Sequence, residues 1–531
     1  MAFRKIALTS LAVFALGSAG QSLAQDPGLL LTNGNVLTLD EDNTVVNSVF
    51  VRLGRIAEVG NDLEAPEGAE VIDLEGRTMI PGLMDSHAHF LRHGQRPGYD
   101  VRAVEQARSI ADFQAALSAK AEEVPEGALV TVVTGWNPIQ LAENRMPTMA
   151  ELDEALPNHP AYIHYAAYGP AVTNTKGKEM FEAALIPVAE DGVFEERDEA
   201  VQSYYYLRGE QTIPQKARAT RDLMGYLNSV GMTSVIDGAG TPFDGAQIYE
   251  SEYDYDPILA VWRAGEMTMR VRIMFMTWDE EIGDGTGQSL FEQRVRNSFM
   301  GFGDDMLRIS GFGEHSTLTA TSDAMYNSAA IAARRGWTMQ EHSNTREDHY
   351  HQVEVYEAAN EIAPIADLRW QLTHVHEIDQ EVLDRLIALG AGVTVQNQKF
   401  FATEGGSPPY RMIVDSGIPV GGGTDSTVRH PINPWFSIYY MVTGKNVLGD
   451  AINADQAITR LEALKLYTIG SAWFSHDDDD IGTIETGKLA DFAVLSDNPL
   501  TVMEDELLNV TSDLTIVGGN VVHANPDFYR P

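Results

Sequence analysis

Apolar and polar positions alternate through residues 29–60, and Asn33-Gly34 and Leu53-Gly54-Arg55 interrupt the alternation. A period of two turns one side of a strand toward a core, and such turn residues reverse the chain. The stretch therefore predicts short strands joined by tight turns. The far end repeats the pattern in Ala490-Asp491-Phe492-Ala493-Val494-Leu495 and across residues 514–522. Both ends are expected to form one sandwich-like satellite β domain, from residues 25–80 and 480–531, with a large domain at 81–479 inserted between them.

Within that insertion, short β-branched runs alternate with longer helical patterns, the signature of parallel β–α units. Eight candidate strands lie near 81–87, 232–237, 269–276, 307–311, 337–342, 369–374, 392–397 and 418–424. Eight such units fit an α/β fold of the (β/α)8 TIM-like barrel class. The gap between the first two strands is too long for one crossover, so residues near 95–225 read as an inserted subdomain covering the barrel mouth.

Composition changes this picture in three ways. The chain opens with Arg4-Lys5, runs apolar from Ile6 to Ala19, and continues Ser22-Leu23-Ala24. A basic start, a short apolar stretch and a small-x-small site predict a signal peptide over residues 1–24 and export to the periplasm or beyond. The apolar run is shorter than the roughly 20 residues a bilayer requires, so no membrane anchor is expected. The 77 acidic residues outnumber the 37 basic ones, for a formal charge of −40. That surface repels nucleic acid and suits a small-molecule substrate; a homo-oligomer stays open. No cysteine is present, so any metal must be held by histidines and carboxylates. The acidic run Asp477 to Asp480 reads as a solvated loop.

The first barrel strand ends Met84-Asp85-Ser86-His87-Ala88-His89. Side chains two apart on a strand share a face, so His87 and His89 can reach one point at the strand's C-terminal end, where barrel active sites gather. His342 and His374 end two later apolar runs. Asp425 ends a third, after Gly421-Gly422-Gly423, whose missing side chains let the backbone approach a ligand. Imidazole and carboxylate donors of this kind suit a divalent metal, zinc foremost, with iron, manganese and nickel also compatible.

This pattern resembles the amidohydrolase superfamily, and within it the branch of YtcJ-like proteins and N-substituted formamide deformylases. The resemblance runs over nearly the whole chain after the leader. It includes Gly135-Trp136, Arg145-Met146-Pro147-Thr148, Asn174, Gly423-Thr424-Asp425-Ser426 and the tail from Gly482 to Asp491. It implies that His87, His89, His342, His374 and Asp425 are the metal ligands, and that Asp425 also carries a proton. Asp85 would orient the His87–His89 pair without binding the ion. The chain departs from the family twice. Relatives with two metals often carry a carboxylated lysine on the fourth strand, where this chain has Arg308. Many relatives also have a histidine at the position of Gly169. One ion is therefore expected, and Glu314 is the residue that could bridge a second or contact substrate.

His376 rivals His374, which is preferred because it follows its apolar strand directly. His349 and His351 lie in a charged helical stretch and are expected to face solvent. Trp136, Tyr168 and Trp435 are candidates for an apolar substrate pocket. The expected activity is metal-dependent hydrolysis of a carbon–nitrogen bond other than a peptide bond, in a linear amide, N-formyl or N-acyl compound. A deaminase or a cyclic-amide or lactone hydrolase would use the same site. An exported binding protein on a degenerate barrel is the reading from another class.

Overall fold

The computed structural model describes residues 27–165, 169–194, 196–238, 254–275, 289–317, 319–404, 406–426 and 430–530. The leader at 1–24 and Tyr168 lie outside them. Among the described residues, no helix is long and apolar enough to cross a membrane.

All eight expected barrel strands are present, each parallel to its neighbours. They are β1 (Leu83–Ala88), β2 (Met232–Asp237), β3 (Arg270–Phe275), β4 (Leu307–Phe312), β5 (Gln340–Ser343), β6 (Gln371–His374), β7 (Gly392–Val395) and β8 (Val420–Gly422). Helices such as Arg346–Ile362 and Gln380–Ala388 connect them and bury one face against a common apolar core. This is a TIM-barrel-like α/β fold. The strands do not form one continuous ladder, however, but two four-stranded sheets, β4-β3-β2-β1 and β5-β6-β7-β8. A single parallel bridge, Phe312 to Met339, links β4 to the segment leading into β5.

At the other seam, between β8 and β1, side-chain chemistry takes the place of a ladder. The Asp85 carboxylate accepts hydrogen bonds from the His87 N–H at 2.9 Å and the Thr424 hydroxyl at 2.6 Å. A Cβ on Gly423 would lie 3.0 Å from the His87 backbone, and one on Gly421 would lie 2.9 Å from Ser86. The expected need for glycine here is thus a matter of strand-to-strand approach.

Residues between β1 and β2 form their own mixed five-stranded sheet, ordered Val193–Phe194, Ala171–Thr173, Ala161–His164, Val130–Val133, Tyr99–Asp100. The chain ends meet as well. Thr78–Pro81 pairs antiparallel with Phe492–Leu495 inside a six-stranded sheet. Leu31, Val36, Val49, Phe492, Leu514 and Ile516 share one apolar cluster.

The acidic run corrects its reading as a solvated loop. Asp477 is buried and pairs with Arg272 at 2.6 Å and with Arg308. Asp478 pairs with Arg369 at 2.5 Å, and Asp480 with Arg55 at 2.8 Å. Arg272 and Arg308 lie in the first halves of β3 and β4, and Arg369 just before β6. Arg55 lies in an N-terminal four-stranded sheet of Leu29–Thr32, Ser48–Arg52, Arg55–Gly60 and Glu70–Asp73. The run thus closes the barrel end opposite the strand C-termini. A second correction concerns His349. It is fully buried, its Nδ1 lies 2.6 Å from the Ser343 hydroxyl, and burial pushes its pKa down to about 4. His351 is half-buried, with Nε2 3.2 Å from the Ser322 carbonyl oxygen.

Candidate metal centre

The strand C-termini bring six side chains together. His87, at the end of β1, and His89, just after it, face Glu314 and Asp425; His342 on β5 and His374 on β6 face Glu314 from the other side. Asp425 follows β8, and Glu314 follows β4 by two residues. His374 and Asp425 hold positive φ angles of 77° and 47°. Non-glycine residues pay roughly 1 kcal/mol or more for that conformation, which here aims both side chains inward.

The donor atoms fall into two sets that share Glu314. In the first, His89 Nε2 lies 3.2 Å from Asp425 Oδ1 and 3.4 Å from Glu314 Oε2, and His87 Nε2 lies 3.5 Å from Asp425 Oδ1. In the second, His374 Nε2 lies 3.0 Å from Glu314 Oε1 and 2.9 Å from His342 Nδ1, which is itself 2.5 Å from Glu314 Oε1. Metal–ligand bonds of about 2.0–2.1 Å in a tetrahedron imply edges of about 3.3–3.4 Å. Three distances of the first set lie near those edges, while His87 Nε2 to Glu314 is longer, at 3.9 Å; the second set is tighter. His87 Nε2 is buried and makes no hydrogen bond. A lone pair left so, aimed among carboxylates, is what a cation ligand requires. The donor set fits a divalent metal.

Electrostatics agree. Burial would raise the pKa of Asp425, but His374, His87 and His89 outweigh it and hold the carboxyl well below its ordinary range. Glu314, equally buried, is held low by His342, His374 and His87. Both carboxylates are thus ionised, with imidazoles as their partners. Asp85 differs: burial pushes its pKa up to about 7 despite bonds from Thr424 and His87. It touches backbone and hydroxyl groups, and orients the His87–His89 strand through the His87 N–H.

Every expected ligand is at the centre, and Glu314 joins them between the two sets. His376 does not. Its ring stacks on His374 with centroids 6.4 Å apart, and burial, helped by His374, pushes its pKa down to about 3. Trp136 and Trp435 are core residues rather than pocket walls open to solvent. Both are fully buried, and each indole N–H donates to a backbone carbonyl, of His164 at 3.4 Å and of Val230 at 3.0 Å. Trp136 packs on Phe113 within the inserted sheet's own core.

Sequence reasoning missed a ring of carboxamides. Gln340 Oε1 contacts His87 Nδ1. Gln396 Oε1 lies 2.9 Å from His374 Nδ1, and Gln398 Nε2 donates to Asp425 Oδ2 at 2.8 Å. The Asn344 carboxamide lies 2.5 Å from His342 Nε2. The signal was available, because Gln340 precedes His342 by two and Gln396 and Gln398 alternate after β7. The spacing is that of His87 and His89, but amides are not metal ligands of choice and drew no attention.

Known proteins give the same result. The chain is 24% identical to an N-substituted formamide deformylase of Arthrobacter pascens, over 94% of this chain and 98% of that one. It is 20% identical to the putative amidohydrolase YtcJ of Bacillus subtilis, over 92% of this chain and 98% of that one. Among solved structures, an atrazine chlorohydrolase variant from Arthrobacter aurescens, complexed with zinc and atraton, superposes with a TM-score of 0.59. That match has 17% identity and covers 94% of this chain and 95% of that one. The model of the amidohydrolase family matches residues 70–523, and the chain belongs to that family as a metal-dependent carbon–nitrogen hydrolase.

Proposed function

We propose that the protein hydrolyses a linear amide, of the N-formyl or N-acyl type, at a centre with places for two divalent ions joined by Glu314. The observation that carries the two-ion reading is the division of Glu314. Its Oε2 faces His89, while its Oε1 faces His342 and His374 and is also the oxygen nearer His87 Nε2, at 3.9 Å. The absence of a lysine at Arg308 favoured a single ion. Glu314 would supply a bridging anion from the same strand end, the negative charge that two neighbouring dications need between them. Zinc suits the imidazole–carboxylate donors, and the neighbouring atrazine chlorohydrolase was solved with it.

Bound there, the metal supplies Lewis-acid activation of water and of the scissile carbonyl. His87, His89, His342 and His374 hold it. Asp425 Oδ1 faces the histidines, while Oδ2 is steered by the Gln398 amide. An ionised carboxylate so placed takes the proton of the attacking water and delivers it to the departing nitrogen. The N-acyl preference rests on the formamide deformylase matched across 98% of its length. The two outer sheets are read as a satellite β unit, and residues 1–24 as an export signal. A panel of N-formyl amines, N-acyl amino acids, cyclic amides and lactones tests the substrate class. Turnover confined to linear N-formyl or N-acyl compounds supports it; turnover confined to cyclic amides or lactones refutes it.

A further inference from the structure

Each metal-facing imidazole exposes a second nitrogen to the protein, and what meets that nitrogen decides which one carries the proton. Carboxylates, backbone carbonyls or water commonly fill the role, orienting the ring and raising its basicity. At His87, His342 and His374 side-chain amides fill it. Gln340 Oε1 meets Nδ1 of His87, and its amide is fixed in turn, since Nε2 donates to Gln371 Oε1 at 3.0 Å. Gln396 Oε1 meets Nδ1 of His374 at 2.9 Å, while Gln396 Nε2 donates to the Thr373 hydroxyl at 2.9 Å. Gln340 Nε2 also donates to the Ser86 carbonyl oxygen at 3.3 Å, an acceptor only, which settles which end of that amide faces His87; Gln396 presents Oε1 to His374 while the Thr373 hydroxyl accepts. Gln398 Nε2 also approaches His374 Nδ1, at 2.8 Å, but it has Asp425 Oδ2 to donate to at the same distance. Gln340, Gln371, Thr373 and Gln396 are fully buried, so water does not compete for these bonds.

We infer that Gln340 and Gln396 are positioning residues that hold His87 and His374 in the Nδ1–H tautomer, so that Nε2 of each presents a lone pair to the metal. Gln340 serves the donor set containing Asp425, and Gln396 the set containing His342. An amide oxygen fixes the tautomer without adding negative charge to a centre that already holds two ionised carboxylates. The inference rests on the metal-centre reading, but its first test does not need the metal.

The test uses the full chain with 15N-labelled histidine, metal-free and then titrated with zinc against a competing chelator. The metal-free protein is read well above pH 9, because burial is outweighed by Asp425 and Glu314, which raise the His87 pKa to about 9. There the imidazole shifts of His87 and His374 should show Nδ1 protonated and Nε2 bare. Gln340→Met and Gln396→Met should lose that preference and weaken zinc binding by about 10–100-fold, the usual cost of removing such a partner. Gln396→Glu keeps the acceptor oxygen, and the Thr373 hydroxyl can turn to donate to it. It should restore the His374 tautomer and bind zinc at least as tightly as the parent. The Nε2–H tautomer at His87 and His374 in the parent would overturn the inference, without requiring any variant to fold. So would Met variants that bind zinc with parental affinity. A parent showing the Nδ1–H tautomers but no zinc affinity would overturn the metal-centre reading and leave the tautomer assignment standing.

Discussion

The two ends of the barrel bury charge in opposite ways. At the strand starts, buried carboxylates meet arginines: Asp491 pairs with Arg270 at 2.7 Å, and Asp477 with Arg272 and Arg308. That end is electrically complete. At the strand C-termini, Glu314 and Asp425 have ion pairs only with histidines among the described residues. Histidines carry charge only while protonated and offer lone pairs once a cation displaces that proton, so this end is rich in donors and short of fixed positive charge. A buried anion without a full cationic partner is costly, and a metal ion removes the deficit. One end is built for stability, and the other waits for a cation and performs chemistry.

The sharpest separation between the ends should come from Asp425→Asn. The account predicts a fall in turnover of at least about 10²–10⁴-fold, the contribution of a positioned acid–base group. The fold should survive, as the thermal transition would show. Comparable turnover in the variant would mean that Asp425 carries no proton.

Asp477→Asn should do the reverse. It strands Arg272 and Arg308 without their anion, and breaking a buried pair typically costs about 3–5 kcal/mol. Chemical denaturation should register that loss, while activity per folded molecule changes little. An unaltered denaturation midpoint would show that the far-end network is ornamental.

Acid should reveal the same network more gently. Burial opposes ionisation of Asp477, but Arg272 and Arg308 win and hold its pKa below the ordinary 3.8. A lowered carboxylate pKa stabilises the fold above the unfolded value, and that contribution fades as pH falls through the folded one. Stability lost between pH 5 and 3 should therefore be smaller in Asp477→Asn than in the parent. An identical loss in both would assign acid sensitivity elsewhere.

These ends were not equally legible in the sequence. The eight strands and five of the six converging side chains could be read because β-branched runs and strand-end histidines leave local, periodic traces. Glu314 was legible as a candidate bridge, but nothing along the chain decided for that role over a contact with substrate. That role depends on β1, β5 and β6 converging, which spacing along the chain does not encode. The far end was misread for the same reason. Four consecutive aspartates look solvated until arginines 109 to 425 positions away in the chain fold onto three of them, Asp477, Asp478 and Asp480. Trp136 and Trp435 misled because a large aromatic suits a pocket and a core equally well. Their buried, satisfied N–H groups decide for the core.

Metal stoichiometry of the purified chain, beside that of Glu314→Gln, tests the donor-rich end most directly. Elemental analysis after dialysis should find two divalent ions per parent chain. The variant should retain one, with hydrolysis reduced in step. Equal metal content in parent and variant, or hydrolysis that survives complete removal of metal by a chelator, would contradict the account.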